Sequence, residues 1–325
     1  MRRWGIAGIL VFAAGLALGQ QPVAAPAAEK SVGDKPPAAP AEDAAVPVFL
    51  ENVRLVNVFA NVTDGTGAII GGLTKEDFAV SEDGRAQRIA VFERQSELPL
   101  NLVLAVDTSG SVKKDLSAEE QAAKRFVHAL LRGQDRMALL QFADEVREVV
   151  GFTNQTSRLD KGLGALKTGN STAFYDAVYL AAQNLAGKQG RKVLVVITDG
   201  GDTAKNTSYA QALEAALRSE VMVYSLIDVP VEASAGRELG GEHALIALSE
   251  QTGGRYFYVD EGGLDKAFER VSEDLRTQYL LGYYPARQDP GASFHRIRVT
   301  VPRAAEEQFQ IHARTGYYSD GDAGK

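Results

Sequence analysis

Two apolar runs far apart in the chain, each closed by an aspartate, constrain the fold most. Leu100-Asn101-Leu102-Val103-Leu104-Ala105-Val106 ends at Asp107, and Val193-Leu194-Val195-Val196-Ile197-Thr198 ends at Asp199. Both read as buried strands. Around them strand and helix patterns alternate, which predicts an α/β core: a doubly wound, mainly parallel sheet with right-handed crossovers. Strand patterns fall at 100–107, 136–143, 146–150, 193–199, 221–228 and 255–259, and helix patterns at 115–131, 156–167, 172–186, 207–219, 243–252 and 263–277. The stretch 136–150 reads as an antiparallel edge hairpin turning at Asp144-Glu145. On the first helix, Leu116, Ala122, Ala123, Phe126, Val127 and Leu130 form a stripe at helical spacing, read as core-facing.

Ligands of an open parallel sheet sit beyond the carboxyl ends of its strands. Asp107 and Asp199 are therefore expected in one crevice. Ser109 and Ser111 alternate about the turn leaving Asp107, so their hydroxyls can face the same side, and Thr172 offers a third hydroxyl from another loop. Oxygen-only donors select hard cations, Mg²⁺ before Ca²⁺, with Mn²⁺ also open. If neutral hydroxyls bind the ion directly and the aspartates act through water, the ion keeps much of its charge and attracts a carboxylate from outside. Each piece alone also fits a bland role, because Asp, Ser and Thr are ordinary turn and cap residues. The three pieces in order, two of them closing buried strands, carry the metal reading.

Asp107-x-Ser109-x-Ser111, Thr172 and Asp199-Gly200 resemble the metal-ion-dependent adhesion site of von Willebrand factor type A domains. Ile197-Thr198-Asp199-Gly200-Gly201-Asp202 and Ser171-Thr172-Ala173-Phe174-Tyr175-Asp176-Ala177 are similar to that family's flanking segments. The resemblance covers residues 98–276. It implies direct coordination of a metal by Ser109, Ser111 and Thr172, with Asp107 and Asp199 acting largely through water. It also implies a non-enzymatic role in protein binding.

Outside this core the period changes to two. Val56, Val58, Ala60 and Val62 alternate with polar residues before a turn at Asp64-Gly65. Phe78 and Val80 precede Glu82-Asp83-Gly84-Arg85, and Ile89 and Val91 follow. This reads as two hairpin-like pairs, with Asp-Gly as the turn signal. Such a fragment is too small to stand alone. Further strands appear after the core: Tyr279, Leu281 and Tyr283; Ile297, Val299 and Val301; Phe309, Ile311 and Ala313. The expectation is one antiparallel β-sandwich built from both flanks, 47–97 and 277–319, with the α/β domain 98–276 inserted. The competing arrangement is two independent β extensions. The flank–core–flank plan resembles a bacterial secreted family related to von Willebrand factor type A domains, and a comparable insertion is known in the integrin β subunit.

The start of the chain reads as a secretory signal. Met1-Arg2-Arg3 is basic, Trp4 to Leu18 is apolar, and Ala17-Leu18-Gly19 fits small-x-small cleavage, giving a signal over 1–19. Cleavage after Ala25 or an uncleaved anchor are the alternatives. Residues 20–46, rich in Ala and Pro, read as an extended linker, and 320–325 as a disordered tail. This places the protein in the envelope, the periplasm or the medium. The chain of 325 residues contains no cysteine, so disulfides, thiolate zinc sites and thiol catalysis are excluded. A formal net charge of -7 with no dense basic patch argues against nucleic acid.

Enzyme signatures are missing. His128, His243, His295 and His312 show no metal-binding spacing and read as surface or hydrogen-bonded residues. No nucleophile elbow, P-loop or dinucleotide glycine motif is present. Tyr175 and Asp176 are candidates for supporting the site. Asp202 is read as loop-organising, and Val229–Gly241 either as a specificity loop or as a connector. Sequons at Asn61, Asn154, Asn170 and Asn206 read as chance. The expected function is a secreted, metal-dependent module that captures an Asp or Glu of a partner protein. The alternatives are an envelope assembly module with a metal staple and, third, a metal-dependent hydrolase. Asp107→Ala is expected to abolish binding with the fold largely intact, on the view that the site lies on a surface rim.

Overall fold

A computed structural model of the chain describes residues 55–94, 97–110, 116–199, 201–204, 206–228, 239–259, 263–286, 293–302 and 308–319. The signal-like start, the Ala/Pro-rich segment, the tail, Ser111 and most of the 229–241 loop lie outside them.

The first flank supplies strands β1 (Val56–Thr63), β2 (Ala79–Glu82), β3 (Arg85–Gln87) and β4 (Ile89–Arg94). The α/β region follows with β5 (Leu100–Asp107), α1 (Leu116–Leu130), β6 (Arg136–Phe142), β7 (Val146–Thr153), α2 (Thr156–Leu163), α3 (Phe174–Leu185), β8 (Arg191–Thr198), α4 (Tyr209–Arg218), β9 (Met222–Ile227), α5 (Leu239–Thr252), β10 (Tyr256–Tyr258) and α6 (Gly263–Thr277). The second flank gives β11 (Tyr279–Tyr283), β12 (Phe294–Thr300), β13 (Gln310–Ala313) and β14 (Gly316–Tyr318). Helix α5 starts at Leu239, so the last residues assigned from sequence to the 229–241 loop are helical.

The central sheet runs β10-β9-β8-β5-β6-β7. All its pairings are parallel except β6 with β7, the edge hairpin expected at Asp144-Glu145. Why β5 and β8 must be so apolar follows from strand alternation. Leu100, Leu102, Leu104, Val106, Val193, Val195 and Ile197 pack with α1, α2 and α6 on one face. Val103, Ala105, Leu194 and Val196 pack with α3, α4 and α5 on the other. Both faces are covered, so each position sits in a core, worth about 1.5–3 kcal/mol for a fully buried Val or Leu. Ala122, Ala123, Phe126, Val127 and Leu130 of the α1 stripe face the core as expected, and Phe126 stacks on Phe268 of α6 with ring centroids 4.3 Å apart.

The flanks form two four-stranded sheets, β13-β1-β11-β4 and β14-β12-β2-β3. Each sheet takes strands from both ends of the chain, so the α/β domain is inserted in a single sandwich rather than flanked by separate extensions. Val58, Ala60, Val62, Val80, Leu281, Tyr283 and Ile297 fill its interior. The Asp83-Gly84 turn has φ of 48° and 78°, the two left-handed residues that the tightest hairpin turn demands.

One local expectation fails. The Asp64-Gly65 turn closes, with Gly67 N–H on the Asp64 carbonyl at 3.0 Å, but leads only to an isolated Thr63–Ile69 bridge. β11 takes one edge of β1 along Val56–Ala60 and β13 the other along Ala60–Thr63, so the returning chain pairs only beside Val62 and Thr63. Ile89 likewise is not opposite Val80, because the chain changes sheets after Gln87 and β4 pairs with β11.

The outward face of β1 meets the α/β domain. Phe59 packs against that domain's core, and Asn61 Nδ2 donates to the Tyr224 hydroxyl at 3.2 Å. Gln278 alone links α6 to β11, and its Nε2 reaches the same hydroxyl at 3.4 Å. Arg255 and Asp274 form a buried ion pair nearby at 2.8 Å. No described helix is long and apolar enough to cross a membrane.

Candidate metal centre

Asp107 closes β5 beside the end of β8, since Val106 pairs with Ile197. The carboxylate is 1% exposed. Its Oδ1 accepts the Ser109 N–H at 2.8 Å, and its Oδ2 accepts the Thr198 hydroxyl at 2.7 Å. Burial pushes the Asp107 carboxyl up to about 6; the Thr198 and Ser109 hydrogen bonds oppose the rise, and the charge of neighbouring Asp199 adds to it. Asp199 lies one residue past β8 and is half-buried.

Three loops are stitched together around this pair. Thr108 donates its N–H to the Phe142 carbonyl at 2.9 Å and accepts the Gly169 N–H at 2.9 Å, which ties the Asp107 turn to the loop before α3. Gly169 must be glycine at this approach, because a Cβ there would lie 2.5 Å from Ala143 Cβ and 2.7 Å from Asp144 Oδ2. Asp144 then accepts from Asn170 N–H at 3.1 Å, Ser171 N–H at 3.0 Å and the Ser171 hydroxyl at 2.6 Å. Thr172, buried, donates its N–H to the Thr203 hydroxyl at 2.8 Å, and its carbonyl accepts from Thr203 and Ala204. The Thr172 loop is thereby fixed to the segment following Asp199.

The supporting residues divide by role. Asp202 accepts the Tyr175 N–H at 3.0 Å, satisfying an orphan donor at the start of α3. Asp176 holds Asn206 at 2.9 Å and the Thr207 hydroxyl, bracing the loop before α4. Of the sequence-derived set, Asp107, Ser109, Thr172 and Asp199 lie on adjoining loops at the carboxyl edge, and Ser111 falls outside the described residues. The surface-rim view needs correction for three of them: Asp107, Ser109 and Thr172 are all buried. Sequence reading missed Thr198, Thr203 and Asp144. Asp144 had been taken only as a turn residue. Thr198 could have been found from register, because it sits beside Asp107 once the two strand ends are aligned.

The donors here are carboxylates and hydroxyls, the set a hard cation prefers. Two neighbouring carboxylates, one of them buried and resisting ionisation, fit a cation between them, since a positive charge relieves both burial and repulsion. A different cluster, Glu82, Asp83 and His295, brings its ligand atoms within 4.8 Å of one another. It is a closed hydrogen-bond network instead. His295 Nδ1 meets Asp83 at 2.8 Å and Nε2 meets Ser293 at 3.0 Å, while Glu82 Oε2 accepts from Tyr283 at 2.7 Å and Tyr317 at 3.1 Å. Of the other histidines, His128 pairs with Asp160 at 3.0 Å, His312 meets the Thr63 hydroxyl at 3.3 Å, and His243 is exposed. Asn61 is buried in the junction with Tyr224, which closes that sequon to a glycan.

Residues 102–202 match the family model of the von Willebrand factor type A domain. Similar solved structures include the conserved hypothetical protein BatB from Bacteroides thetaiotaomicron, with 19% identity, a TM-score of 0.45, and coverage of 54% of this chain and 97% of that one. Proximal thread matrix protein 1 from the mussel byssus shows 15% identity and a TM-score of 0.48, covering 60% of this chain and 51% of its own. The vWF domain of the type V pili tip protein Mfa5 from Porphyromonas gingivalis shows 14% identity and a TM-score of 0.44, covering 54% and 94%. No curated protein matches the chain.

Proposed function

The chain carries a von Willebrand factor type A domain, and from that premise we propose that it is a secreted, non-enzymatic binding module whose metal site captures a carboxylate of a partner protein. One observation carries the reading: hydrogen bonds fix Asp107 at the carboxyl edge of β5 and β8 and tie the Thr172 loop to Thr203 and Ala204, with Asp199 close enough to Asp107 for its charge to be felt. Ser109, Ser111 and Thr172 would hold Mg²⁺ directly, with Mn²⁺ or Ca²⁺ as substitutes, and Asp107 and Asp199 would act largely through water. When bound, the ion supplies a Lewis-acidic point that an Asp or Glu of a partner completes. The chain's own part is positional. Thr198 and the Ser109 N–H orient the Asp107 carboxylate, Asp144 shapes the loop that presents Thr172, and Thr203 anchors it to the loop after Asp199.

The test is capture of partners from envelope or matrix extracts by the mature chain, with Mg²⁺ and with EDTA, read by mass spectrometry. Thr172→Ala is the better variant, because Asp107→Ala would strip the acceptor from two buried donors and cost about 1–3 kcal/mol of stability. A folded Thr172→Ala protein should lose both the Mg²⁺-induced rise in Tm and partner capture. Capture unchanged by EDTA would favour the assembly reading, and reproducible turnover would favour an enzyme.

A further inference from the structure

At the opposite end of the six-stranded sheet, about 25 Å along β8 from the metal loops, a cavity of about 490 Å³ opens between the ends of α3 and α4 and the outward face of β1. That volume suits a small molecule. Its charged lining among the described residues is Lys188, Lys192, Arg218, Glu220 and Arg314, cationic in balance although the whole chain is acidic.

Most of these cations are accounted for locally. Lys192 Nζ donates to the Ser219 carbonyl at 3.0 Å, and Arg218 Nε donates to Glu214 at 2.8 Å. Both compensate the negative end of α4. Lys188 stands over the Phe152 ring, 4.1 Å from its centroid. Arg314 differs. It comes from the sandwich, between β13 and β14, and is 7% exposed. Its Nη2 donates to the Asn57 carbonyl at 2.7 Å, but its buried Nε and Nη1 have no hydrogen-bond acceptor among the described residues. Glu220 Oε1 stands 3.5 Å from Nη1, beyond the length of a charge-assisted hydrogen bond. The other oxygen of Glu220 lies 3.7 Å from Lys192 Nζ. Glu220 itself is left-handed at φ 56°, just past the end of α4, where glycine is usual.

We infer that this cavity binds a small oxyanion, a carboxylate or phosphate group, whose oxygens accept from Arg314 Nη1 and Lys192 Nζ in place of Glu220. An under-satisfied buried guanidinium is a strong recruiter of such oxygens, and a second cation is already beside it. The ligand joins the end of α4 to the sandwich, so it stabilises the seating of one domain on the other.

The test is thermal unfolding of the full chain in EDTA, titrated with sodium succinate in one arm and inorganic phosphate in another, against sodium chloride at matched ionic strength. A saturable rise in Tm in either arm, absent with chloride, supports the site, and the arm that saturates identifies the oxyanion. Glu220→Gln, which removes the competing carboxylate, should lower the half-saturating concentration several-fold. Lys192→Met should raise it at least several-fold, which keeps the test decisive if Arg314→Gln does not fold. Asp107→Asn, at the far end, should leave the response unchanged whether or not the metal reading holds. A response identical to that of chloride, or one untouched by Lys192→Met and Glu220→Gln, overturns the inference.

Discussion

At the carboxyl edge, Asp107 has a donor for each oxygen, Thr172 is bonded at its N–H and its carbonyl, and Asp144 gathers two N–H groups and a hydroxyl. At the junction with the sandwich, several buried polar atoms have no hydrogen-bond partner among the described residues: Asn57 Oδ1, Asn61 Oδ1, Gln278 Oε1, Asp274 Oδ2 and two nitrogens of Arg314. Both regions bury polar groups, and only one of them closes its networks. A closed network holds side chains in one geometry, which is what a coordination site requires. An open one contributes little to stability and leaves room for water or a ligand, as in polar contacts between domains.

The largest effect that could break this contrast is at the junction's one strong pair. Arg255→Met leaves Asp274 buried without its partner and should cost about 3–5 kcal/mol in urea unfolding; a loss under 1 kcal/mol would mean that the pair is already hydrated. Next, if the proposed site holds Mg²⁺, Thr198→Val, which removes one donor from Asp107, should raise the half-saturating Mg²⁺ concentration for a rise in Tm by about 10–100-fold. An unchanged response would show that the carboxyl edge is less finely set than its hydrogen bonds suggest.

The third test is pH. Burial raises the Asp274 carboxyl to about 7, against the pull of Arg255. A carboxyl raised in the folded state contributes stability that is complete below its unfolded value near 4 and is lost as pH rises through about 7, at no more than about 1.4 kcal/mol per pH unit. His312, pushed down to about 4 by burial, tilts the opposite way below its ordinary value, losing stability as pH falls. The difference between the wild type and Asp274→Asn, measured from pH 4 to 8, isolates the aspartate; parallel curves would refute its shift. The smallest effect is expected from Asn61→Leu. Although Asn61 is buried, it makes one bond and leaves one oxygen orphaned, so the change should lie within about 1 kcal/mol of zero. A large loss there would put the junction on the same footing as the metal loops.

What could be read from sequence follows the same divide. The β5 and β8 runs were legible because burial on both faces forces continuous apolar residues, and the alternating flank strands because one face of each meets the sandwich core. That Asp107, Ser109, Thr172 and Asp199 lie on adjoining loops at one edge was legible because strand ends and turn residues occur together. Thr198 and Asp144 were not, since each acts through a partner distant in sequence, and nothing local distinguishes a hydroxyl that orients a carboxylate. The false hairpin at Asp64-Gly65 has the same origin. The turn chemistry is correct, but which strand lies beside β1 is decided by segments beyond the inserted domain.

That last fact governs the order in which the molecule can be made. Val56 pairs with Tyr283 and Val62 with Ile311, so a nascent chain holds β1 without its partner strands until almost all of it has been synthesised. The α/β domain, contiguous from Leu100 to Thr277, can complete its core earlier and bring the waiting ends together. A chain cut short before Tyr279 would leave β1 as an exposed, alternating apolar edge, a template for self-association.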